Sequence, residues 1–463
     1  MTKLHQKTQE ITDLVLKAQA KAYAETSSEP EPGLTQPIQW PVQCLVGPGL
    51  EGAIACESQI GYVNGAKGWL IYRGYDIFEL CAYSTYEEVA YLLIHGHIPS
   101  KSELNTFKKK LALYRYIPET QETLAQFPIK KMQPMSALSL GTILMGQEFN
   151  EIIASASFGK LISSDEDSIP METKPRGEEH AIYEFKAKKL RRQNITLNVC
   201  YHLIAGVATI TAAIARLREG KPVVKPDPNL SHAANLIYMM TGKHPSPAEE
   251  RIMDIALILH ADHGMNASTF ASMVVASTLS DIYLSIGSGI AALNGPLHGG
   301  ANEQVLKMLQ KIKNPQRVKS WYTHAFERRE KITGFGHRVY KAYDPRARVL
   351  GPLAEHLAYD DPDTRNLFLI AKNLEAEVIA TLGEQKKIFP NVDFYSGLVY
   401  RTMKIPSELF TPIFAVSRVA GWTARILEYL KNNRIFRPRA MYTGLFNQKY
   451  IPARTRTGTK KNP

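Results

Sequence analysis

The sequence predicts a mainly α protein with a short β-hairpin near residues 55–75. Beyond residue 80, apolar side chains recur every three to four positions, which is the period of an amphipathic helix. The hairpin is predicted by an alternating run that ends in Asn64-Gly65, a dipeptide favoured in tight β-turns. The chain has 463 residues, of which 44% are hydrophobic, so it is long enough for two to three domains and a large core.

The predicted elements follow changes in composition along the chain. Residues 5–24 predict a short polar helix, and residues 27–33, rich in Ser, Glu and Pro, predict a linker. Pro, Gly and Asn interrupt the apolar pattern where the later helices are expected to end. Those helices are predicted at 86–95, 101–114, 194–218, 231–241, 248–261, 266–292, 301–311, 364–381 and 414–431.

Residues 150–192 interrupt the helical pattern. They contain an acidic, Ser-containing run at 163–168, followed by Pro170 and Pro175. Loops of this length are uncommon and are usually functional or disordered. We expect a mobile surface loop inserted between two helices and away from the functional site.

Charge and cysteine usage limit the classes of partner. The formal net charge is +12, and five of the positive charges lie in the basic tail, residues 447–463. The sequence has no zinc-finger, RNP or helix-turn-helix pattern, so no nucleic-acid partner is expected. The four cysteines form no C-x-x-C pair, which predicts reduced thiols in a reducing compartment and no metal site.

Hydropathy gives no sign of a membrane partner. The most apolar stretch, residues 273–293, contains Asp281 and several Ser and Gly, so it is expected to be a buried helix. The first residues lack an apolar core and carry Glu10 and Asp13, which is not typical of a signal or transit peptide. We therefore expect a cytoplasmic protein.

Three short segments rich in Gly, Pro and Asn each carry one residue suited to proton transfer. Segments of this composition hold a side chain at the end of an element, where it can meet a ligand. Two imidazoles and one carboxylate are what proton abstraction next to a carbonyl requires, namely a base and hydrogen-bond donors for the oxygen that becomes enol-like. The three are His298 in residues 294–302, His337 in residues 334–340, and Asp393 in residues 391–397.

This set, in this order, resembles the catalytic set of citrate synthases. The resemblance covers residues 46–445 apart from 150–192, with supporting blocks at 260–269, 344–346, 416–418 and 437–439. It implies a two-domain citrate-synthase fold in which closure of a smaller, mobile helical domain assembles the site. The implied parts are an N-terminal extension with linker (1–45), a large helical domain (46–299 and 407–446), the small domain (300–406) and the tail (447–463).

The resemblance implies a role for each residue of the set. Asp393 would remove a methyl proton from acetyl-CoA, His298 would donate a hydrogen bond to the thioester oxygen, and His337 would donate a proton to the ketone of oxaloacetate. Taken alone, Asp393 could instead cap a helix in an Asx-turn, and His298 could simply occupy a Gly-rich turn. We expect the start of helix 301–311 to disfavour positive charge on His298.

Further residues are implied to bind the substrates. A dicarboxylate in a closed site needs forked, permanently charged donors, which arginine supplies. The residues implied to hold oxaloacetate are His263, Arg346, Arg418 and Arg437. Backbone atoms implied to contact the adenine part of coenzyme A belong to Gly334, Phe335 and Gly336.

Two of these residue assignments have structural consequences. In the family, the arginine that matches Arg437 comes from the partner subunit, so the resemblance implies a homodimer with shared active sites. His260 and His263 are three residues apart and could pair on a metal. No third ligand at metal spacing is evident, so His260 is expected to be structural.

The implied function is an acyltransferase of the tricarboxylic acid cycle that condenses acetyl-CoA with oxaloacetate and water to give citrate and CoA. No cofactor beyond the substrates is implied. The alternative is a 2-methylcitrate synthase that uses propionyl-CoA, because one methylene in an apolar pocket is worth only ~1–3 kcal/mol. A catalytically inactive homologue that acts as a binding protein is the other reading, and the complete catalytic set argues against it.

Overall fold

The computed structural model describes residues 3–26, 39–154, 197–359, 361–448, 450 and 452, and helices dominate this part of the chain. In chain order the helices are α1 (Lys3–Glu25), α2 (Ile77–Tyr83), α3 (Tyr86–His95), α4 (Lys101–Tyr114), α5 (Pro118–Ala125), α6 (Pro134–Ala154), α7 (Leu197–Arg218), α8 (His232–Thr241), α9 (Pro247–His260), α10 (Ala267–Ser277), α11 (Ile282–Leu293), α12 (Ala301–Ile312), α13 (Val318–Glu327), α14 (Pro345–Ala358), α15 (Pro362–Val378), α16 (Val392–Thr402) and α17 (Phe410–Leu430). A π-helical turn, Ile379–Gly383, and a short helix, Glu384–Lys386, extend α15.

The predicted hairpin is confirmed as part of a small antiparallel sheet. Its strands are β1 (Gly61–Asn64), β2 (Trp69–Tyr72) and β3 (Tyr75–Asp76), in the order β1-β2-β3. Asn64 pairs with Trp69, so residues 65–68 form the turn. The Gly65 carbonyl at this turn accepts a hydrogen bond from the Lys341 amide at 2.8 Å. The sheet therefore contacts the loop that follows His337.

Helix α17 is the centre of the core. Most of its side chains are buried, including Trp422, which has no exposed surface, and it packs against α3, α7, α9, α10 and α11. Gly421 lets the backbone of α17 come close to Ala261, because a Cβ at this position would lie 2.2 Å from the Ala261 carbonyl oxygen. That contact fixes α17 against the end of α9. The segment that carries His263 begins immediately after this end.

Helix α7 has the length and composition of a membrane-spanning segment. It is the one such helix among the described residues, and 94% of its most apolar window is buried inside the protein. Its neighbours are other helices, among them α4, α6, α8 and α17. Helix α7 is therefore packed as a core helix.

Several predicted helices are confirmed, and one is wrong. Tyr86–His95 and Lys101–Tyr114 have the predicted bounds. The single helix predicted at 266–292 is two helices, α10 and α11, with Leu279 between them in the left-handed region at φ 64°. The Asp281 carboxylate accepts a hydrogen bond from the Tyr283 amide at 2.7 Å and caps α11, so continuous apolar spacing concealed a helix start.

The composition of helix α1 suggested a polar helix, but one side of it is apolar. Ile11, Val15, Ala18 and Ala22 form a buried stripe at helical spacing. This stripe packs on α2, α9 and α14, and Glu25 at its end forms an ion pair with Arg348 of α14. The stripe is narrow and half of it is alanine, so the average composition of the segment hides it.

Some predictions lie outside the described residues or went untested. Residues 150–154 belong to the end of α6, and most of the predicted loop and the whole predicted linker lie outside the described part. Helices α2, α5, α6, α13, α14 and α16 were not predicted, since short or evenly apolar segments give a weak periodic signal. The division into two domains stays a prediction.

We predict that Gly421→Ala lowers the free energy of unfolding by ~1–3 kcal/mol, because overpacking against backbone forces two helices apart. Urea denaturation of the purified protein measures this. Gly47→Ala is the matched control, since its nearest neighbours would lie 3.7 Å from the new Cβ and its φ is −91°. Equal stability of the two variants would contradict the proposed role of the close approach.

Candidate active site

The three predicted catalytic residues lie in a turn, in a loop and in the first turn of a helix. His298 is in the turn between α11 and α12, His337 is in the loop before α14, and Asp393 is in the first turn of α16. Burial has the largest influence on the pKa of each of the three, and the charges of two arginines also act on it. The charge of Arg418 acts to lower the pKa of His298 and of Asp393, and that of Arg346 acts to lower the pKa of His337 and of Asp393, where burial outweighs both arginines. The structure therefore brings these five residues into one electrostatic neighbourhood.

The hydrogen bonds of His298 determine which nitrogen carries its proton. The backbone amide of Ser268 lies 3.2 Å from Nε2, and the Ser268 hydroxyl lies 2.8 Å from the same atom. A backbone amide can only donate, so Nε2 acts as an acceptor and the proton is assigned to Nδ1. Nδ1 is then a donor available to a ligand.

His298 is also held neutral. Burial, followed by the positive charge of Arg418, lowers its pKa to about 4. The amide that contacts the ring belongs to the first turn of α10, and a helix N-terminus disfavours added positive charge. The lowered pKa agrees with the expectation of a neutral ring. We expected α12 to supply this effect, and the helix whose amide contacts the ring is α10.

His337 has the opposite tautomer. Its Nδ1 accepts hydrogen bonds from the amides of Val339, at 3.0 Å, and Tyr340, at 3.2 Å. The proton is therefore assigned to Nε2. Burial lowers the pKa of His337 to about 4, with Arg346 and Lys341 acting in the same direction and Asp344 opposing them.

The loop that carries His337 is tied to the segment before Asp393. The Gly336 amide donates to the Phe389 carbonyl at 2.9 Å, and the Asn391 amide donates to the Gly334 carbonyl at 2.9 Å. The Asn391 side chain also donates to the Gly336 carbonyl at 3.0 Å. Gly334 and Gly336 have φ of 88° and 78°, which L side chains rarely adopt. These hydrogen bonds between the two segments thus determine the separation of His337 and Asp393.

Asp393 has a buried carboxylate oxygen with no hydrogen-bond partner among the described residues. Asn391 caps α16 by accepting the Asp393 amide at 3.1 Å, so the cap is Asn391 and the alternative reading of Asp393 is wrong. The residue is half-buried as a whole, but its Oδ1 is buried and has no hydrogen-bond partner among the described residues. Burial, aided by Asp344, raises its pKa to about 7 against the opposing charges of Arg346 and Arg418.

Arg346 and Arg418 are both buried, but only Arg346 has an acidic partner. Arg346 forms two hydrogen bonds to Asp344, from Nε at 3.0 Å and Nη2 at 2.7 Å. Arg418 is 1% exposed and donates from Nε to the His260 carbonyl at 2.5 Å, while its Nη2 has no partner among the described residues. Burial lowers the pKa of Arg418 to about 10. An unpaired buried cation is costly and favours an anionic ligand.

His263 belongs to the same cluster, whereas the His260 ring is hydrogen-bonded to its own helix. The His263 ring lies 5.2 Å from the His337 ring, and its Nε2 is 3.2 Å from the Tyr340 hydroxyl. Burial, followed by Arg346, holds the pKa of His263 well below its usual range. His260 directs Nδ1 to the Ala256 carbonyl at 2.7 Å, which fits the structural role expected of it. Across the described residues, no group of three or more His, Cys, Asp or Glu is arranged to hold a metal ion.

Two parts of the predicted site lie apart from this cluster. Arg437 is exposed on the segment after α17, outside the helices and loops that carry the other residues. Phe335 lines a cavity of about 800 Å³ that also contacts Arg329, Lys331 and Lys386. Sequence reasoning assigned no role to these three cations.

Sequence reasoning also left three polar residues of the site without a role. Ser268 and Tyr340 contact His298 and His263, and Asp344 binds Arg346. An Asp-Pro pair at a helix start is a signal for an N-cap, and Asp344 is indeed the N-cap of α14. Nothing in the sequence around Ser268 indicates a contact with a residue thirty positions later.

Two curated relatives are similar to almost the whole chain. The chain is 40% identical over 411 residues to a citrate synthase of Deinococcus radiodurans, covering 89% of this chain and 99% of that one. It is 35% identical over 414 residues to a 2-methylcitrate synthase of Shewanella oneidensis, covering 89% and 98%.

Solved structures and a family model agree with these relatives. The citrate synthase of Pyrobaculum aerophilum superposes with a TM-score of 0.75 at 41% identity, covering 91% of this chain and all of that one. A ternary complex of the Thermoplasma acidophilum citrate synthase with carboxymethyl coenzyme A and oxaloacetate gives 0.73 at 32% identity, covering 87% and 97%. The model of the citrate synthase C-terminal domain matches residues 49–439. The chain described here therefore belongs to the citrate synthase family.

Proposed function

We propose that this chain condenses acetyl-CoA with oxaloacetate and water to give citrate and CoA. The observation that carries the proposal is the buried Asp393 carboxylate, whose Oδ1 has no hydrogen-bond partner among the described residues and whose pKa is raised to about 7. A carboxylate with that pKa is a far better base at neutral pH than an ordinary aspartate. The unpaired Arg418 guanidinium nearby suits a carboxylate of oxaloacetate.

The two neutral imidazoles suit the developing charges of this reaction. Asp393 takes a proton from the acetyl methyl group, while Nδ1–H of His298 donates to the thioester oxygen as it becomes enolic. The enol carbon then bonds to the ketone carbon of oxaloacetate, and Nε2–H of His337 delivers a proton to the ketone oxygen. Water cleaves the resulting thioester and releases CoA. The reaction as written uses no cofactor.

The cavity beside Phe335 supports a coenzyme A site. Its lining combines apolar side chains with Arg329, Lys331 and Lys386, three cations that outnumber Glu327 and Glu330. An aromatic and aliphatic wall suits a purine ring, and cations suit phosphates. Gly334 and Gly336 flank Phe335, where the predicted adenine contact would lie.

A homodimer with shared sites remains our proposal for the assembly. Arg437 lies on a segment that exposes large apolar side chains, including Met441, at 90%, and Phe446, at 71%. Exposed apolar residues in such a run are typical of a surface that a partner covers. The four free cysteines support a reducing, cytoplasmic setting, where the enzyme would serve the tricarboxylic acid cycle.

We expect acetyl-CoA to be preferred over propionyl-CoA. The proposal for citrate and the alternative for 2-methylcitrate share one mechanism and differ by one methylene in the acyl pocket, so the preference is expected to be modest, about 10- to 200-fold. Steady-state kinetics with the two thioesters side by side, at saturating oxaloacetate, measure kcat/KM for each. A higher kcat/KM for propionyl-CoA would favour the 2-methylcitrate alternative.

We predict that kcat/KM for acetyl-CoA falls about tenfold per pH unit below a pKa of about 7, because Asp393 must be deprotonated to act as the base. Burial raises this pKa, so the active form is populated above it and lost as the pH falls through it. Asp393→Asn should reduce the rate on the plateau at least ~10²-fold and leave oxaloacetate binding largely intact.

The matched control is Asp363→Asn. Asp363 occupies the same position after the Asp361 cap of α15 as Asp393 does after Asn391, but it is exposed. This variant should retain the wild-type rate and pH profile. Near-normal turnover by Asp393→Asn would refute its assignment as the base.

We predict that Arg437→Ala weakens oxaloacetate binding and that its activity is rescued across subunits. Mixing Arg437→Ala chains with inactive His298→Ala chains should restore part of the activity, because a mixed dimer contains one site with both residues intact. Activity after verified subunit exchange is the measurement. Arg434→Ala, also exposed on this segment, is the control and should be near wild type. No recovery would mean that Arg437 acts within its own chain or outside the site.

A further inference from the structure

One carboxylate outside the site joins the two segments that carry the proposed base and the oxaloacetate-binding arginine. Glu375 lies in α15 and accepts a hydrogen bond on each of its oxygens. The Tyr343 hydroxyl donates to Oε1, and the Tyr395 hydroxyl donates to Oε2. Both oxygens of a single side chain are therefore used by two different segments of the chain.

The first tyrosine belongs to the segment that holds Arg346. Tyr343 directly precedes Asp344, whose carboxylate binds Arg346 and also accepts the Val392 amide at 3.2 Å. The guanidinium of Arg348 covers the Tyr343 ring, with Cζ 4.3 Å from its centroid. Fixing the Tyr343 hydroxyl therefore fixes the start of α14.

The second tyrosine belongs to the segment that holds the base. Tyr395 is two residues after Asp393 in the first turns of α16, and it is 3% exposed. Its ring lies against Gly351 of α14, where a Cβ would be 3.2 Å from the ring. A shift of this ring must move the helix turn that carries Asp393.

Both phenols keep their protons and act as donors. Burial, together with the nearby Glu375, holds the pKa of Tyr343 and of Tyr395 well above the usual range. A carboxylate that accepts two phenolic hydrogen bonds is a strong and directional link, since charge-assisted hydrogen bonds are roughly twice as strong as neutral ones. No substrate contact is needed for this link to act.

We propose that Glu375 is a positioning residue that sets the distance between Asp393 and the Asp344–Arg346 pair through Tyr395 and Tyr343. The proposal rests on the proposed function, because it concerns the geometry of that reaction. A displacement of about 1 Å at the reacting atoms can reduce a rate by up to ~10²-fold. Glu375 therefore contributes to catalysis without touching the substrates.

The test separates the two arms of the link. Tyr395→Phe should lower kcat about tenfold and leave KM for oxaloacetate near wild type, since it loosens the base. Tyr343→Phe should mainly raise KM for oxaloacetate, since it loosens the arginine. Glu375→Leu should show both effects, and Glu375→Gln, which keeps one acceptor oxygen, should recover part of the activity. Adding either Phe substitution to Glu375→Leu should cause little further loss.

A control and two readouts make the outcomes decisive. Lys372 is on the same helix as Glu375, and Lys372→Gln removes its ion pair with Glu355 of α14, in which both side chains are 56% exposed. This variant should change neither kcat nor KM. Circular dichroism and thermal unfolding check that each variant is folded. If Glu375→Leu does not fold, the two Phe variants, which keep the rings, still test each arm.

Failure of this proposal differs from failure of the proposed function. If wild-type enzyme forms citrate and both Phe variants retain wild-type kcat and KM, Glu375 is not a positioning residue. Losses that follow only the unfolded fraction would have the same meaning. If wild-type enzyme forms no product from acetyl-CoA and oxaloacetate, the proposed function fails. In that case calorimetric binding of oxaloacetate to Tyr343→Phe still tests the arm to Arg346, and unchanged affinity would overturn it.

Discussion

The arrangement of the site depends on one buried ion pair, between Asp344 and Arg346. Burial alone would raise the pKa of Asp344, yet the Arg346 charge and its hydrogen bonds hold that pKa below the usual range. The same carboxylate caps α14 and accepts the Val392 amide at the start of α16. One side chain thereby joins the helix of the arginine to the helix of the base. Removing either partner of a buried pair typically costs 3–5 kcal/mol, because the remaining charge stays buried.

Around this ion pair, other buried polar groups have unsatisfied hydrogen-bonding capacity. Asp393 and Arg418 each have a buried polar atom without a hydrogen-bond partner among the described residues, and the two do not form an ion pair there. His298 and His337 are neutral, because charging a buried imidazole costs desolvation free energy. A folded chain tolerates such groups only when the rest of the core over-determines their positions. The contacts of Gly421 and the backbone bonds of the His337 loop supply that constraint. Electrostatic preorganisation of this kind lowers a barrier without movement during the reaction.

Much of the site could be predicted from the sequence, and what could not depends on contacts between distant residues. His298, His337 and Asp393 were identifiable because Gly, Pro and Asn around them mark exposed ends of elements. Their proton positions were not, since these depend on the amides of Ser268, Val339 and Tyr340. For the fold, apolar spacing predicted α3 and α4 well but ran through the break before Asp281, because that segment is apolar on both sides of it. In the proposed homodimer the position of Arg437 relative to a site depends on two chains, and one sequence gives only the family resemblance for it.

Helix α1 has a mechanical consequence for the rest of the molecule. It lies against α9 on one side and α14 on the other, and Glu25 binds Arg348 two positions beyond the site arginine. Any hinge motion that separates α14 from α9 must slide or detach this helix. The N-terminal helix therefore bridges the helix that precedes His263 and the helix that carries Arg346, so a change in the separation of those two helices must also change its packing.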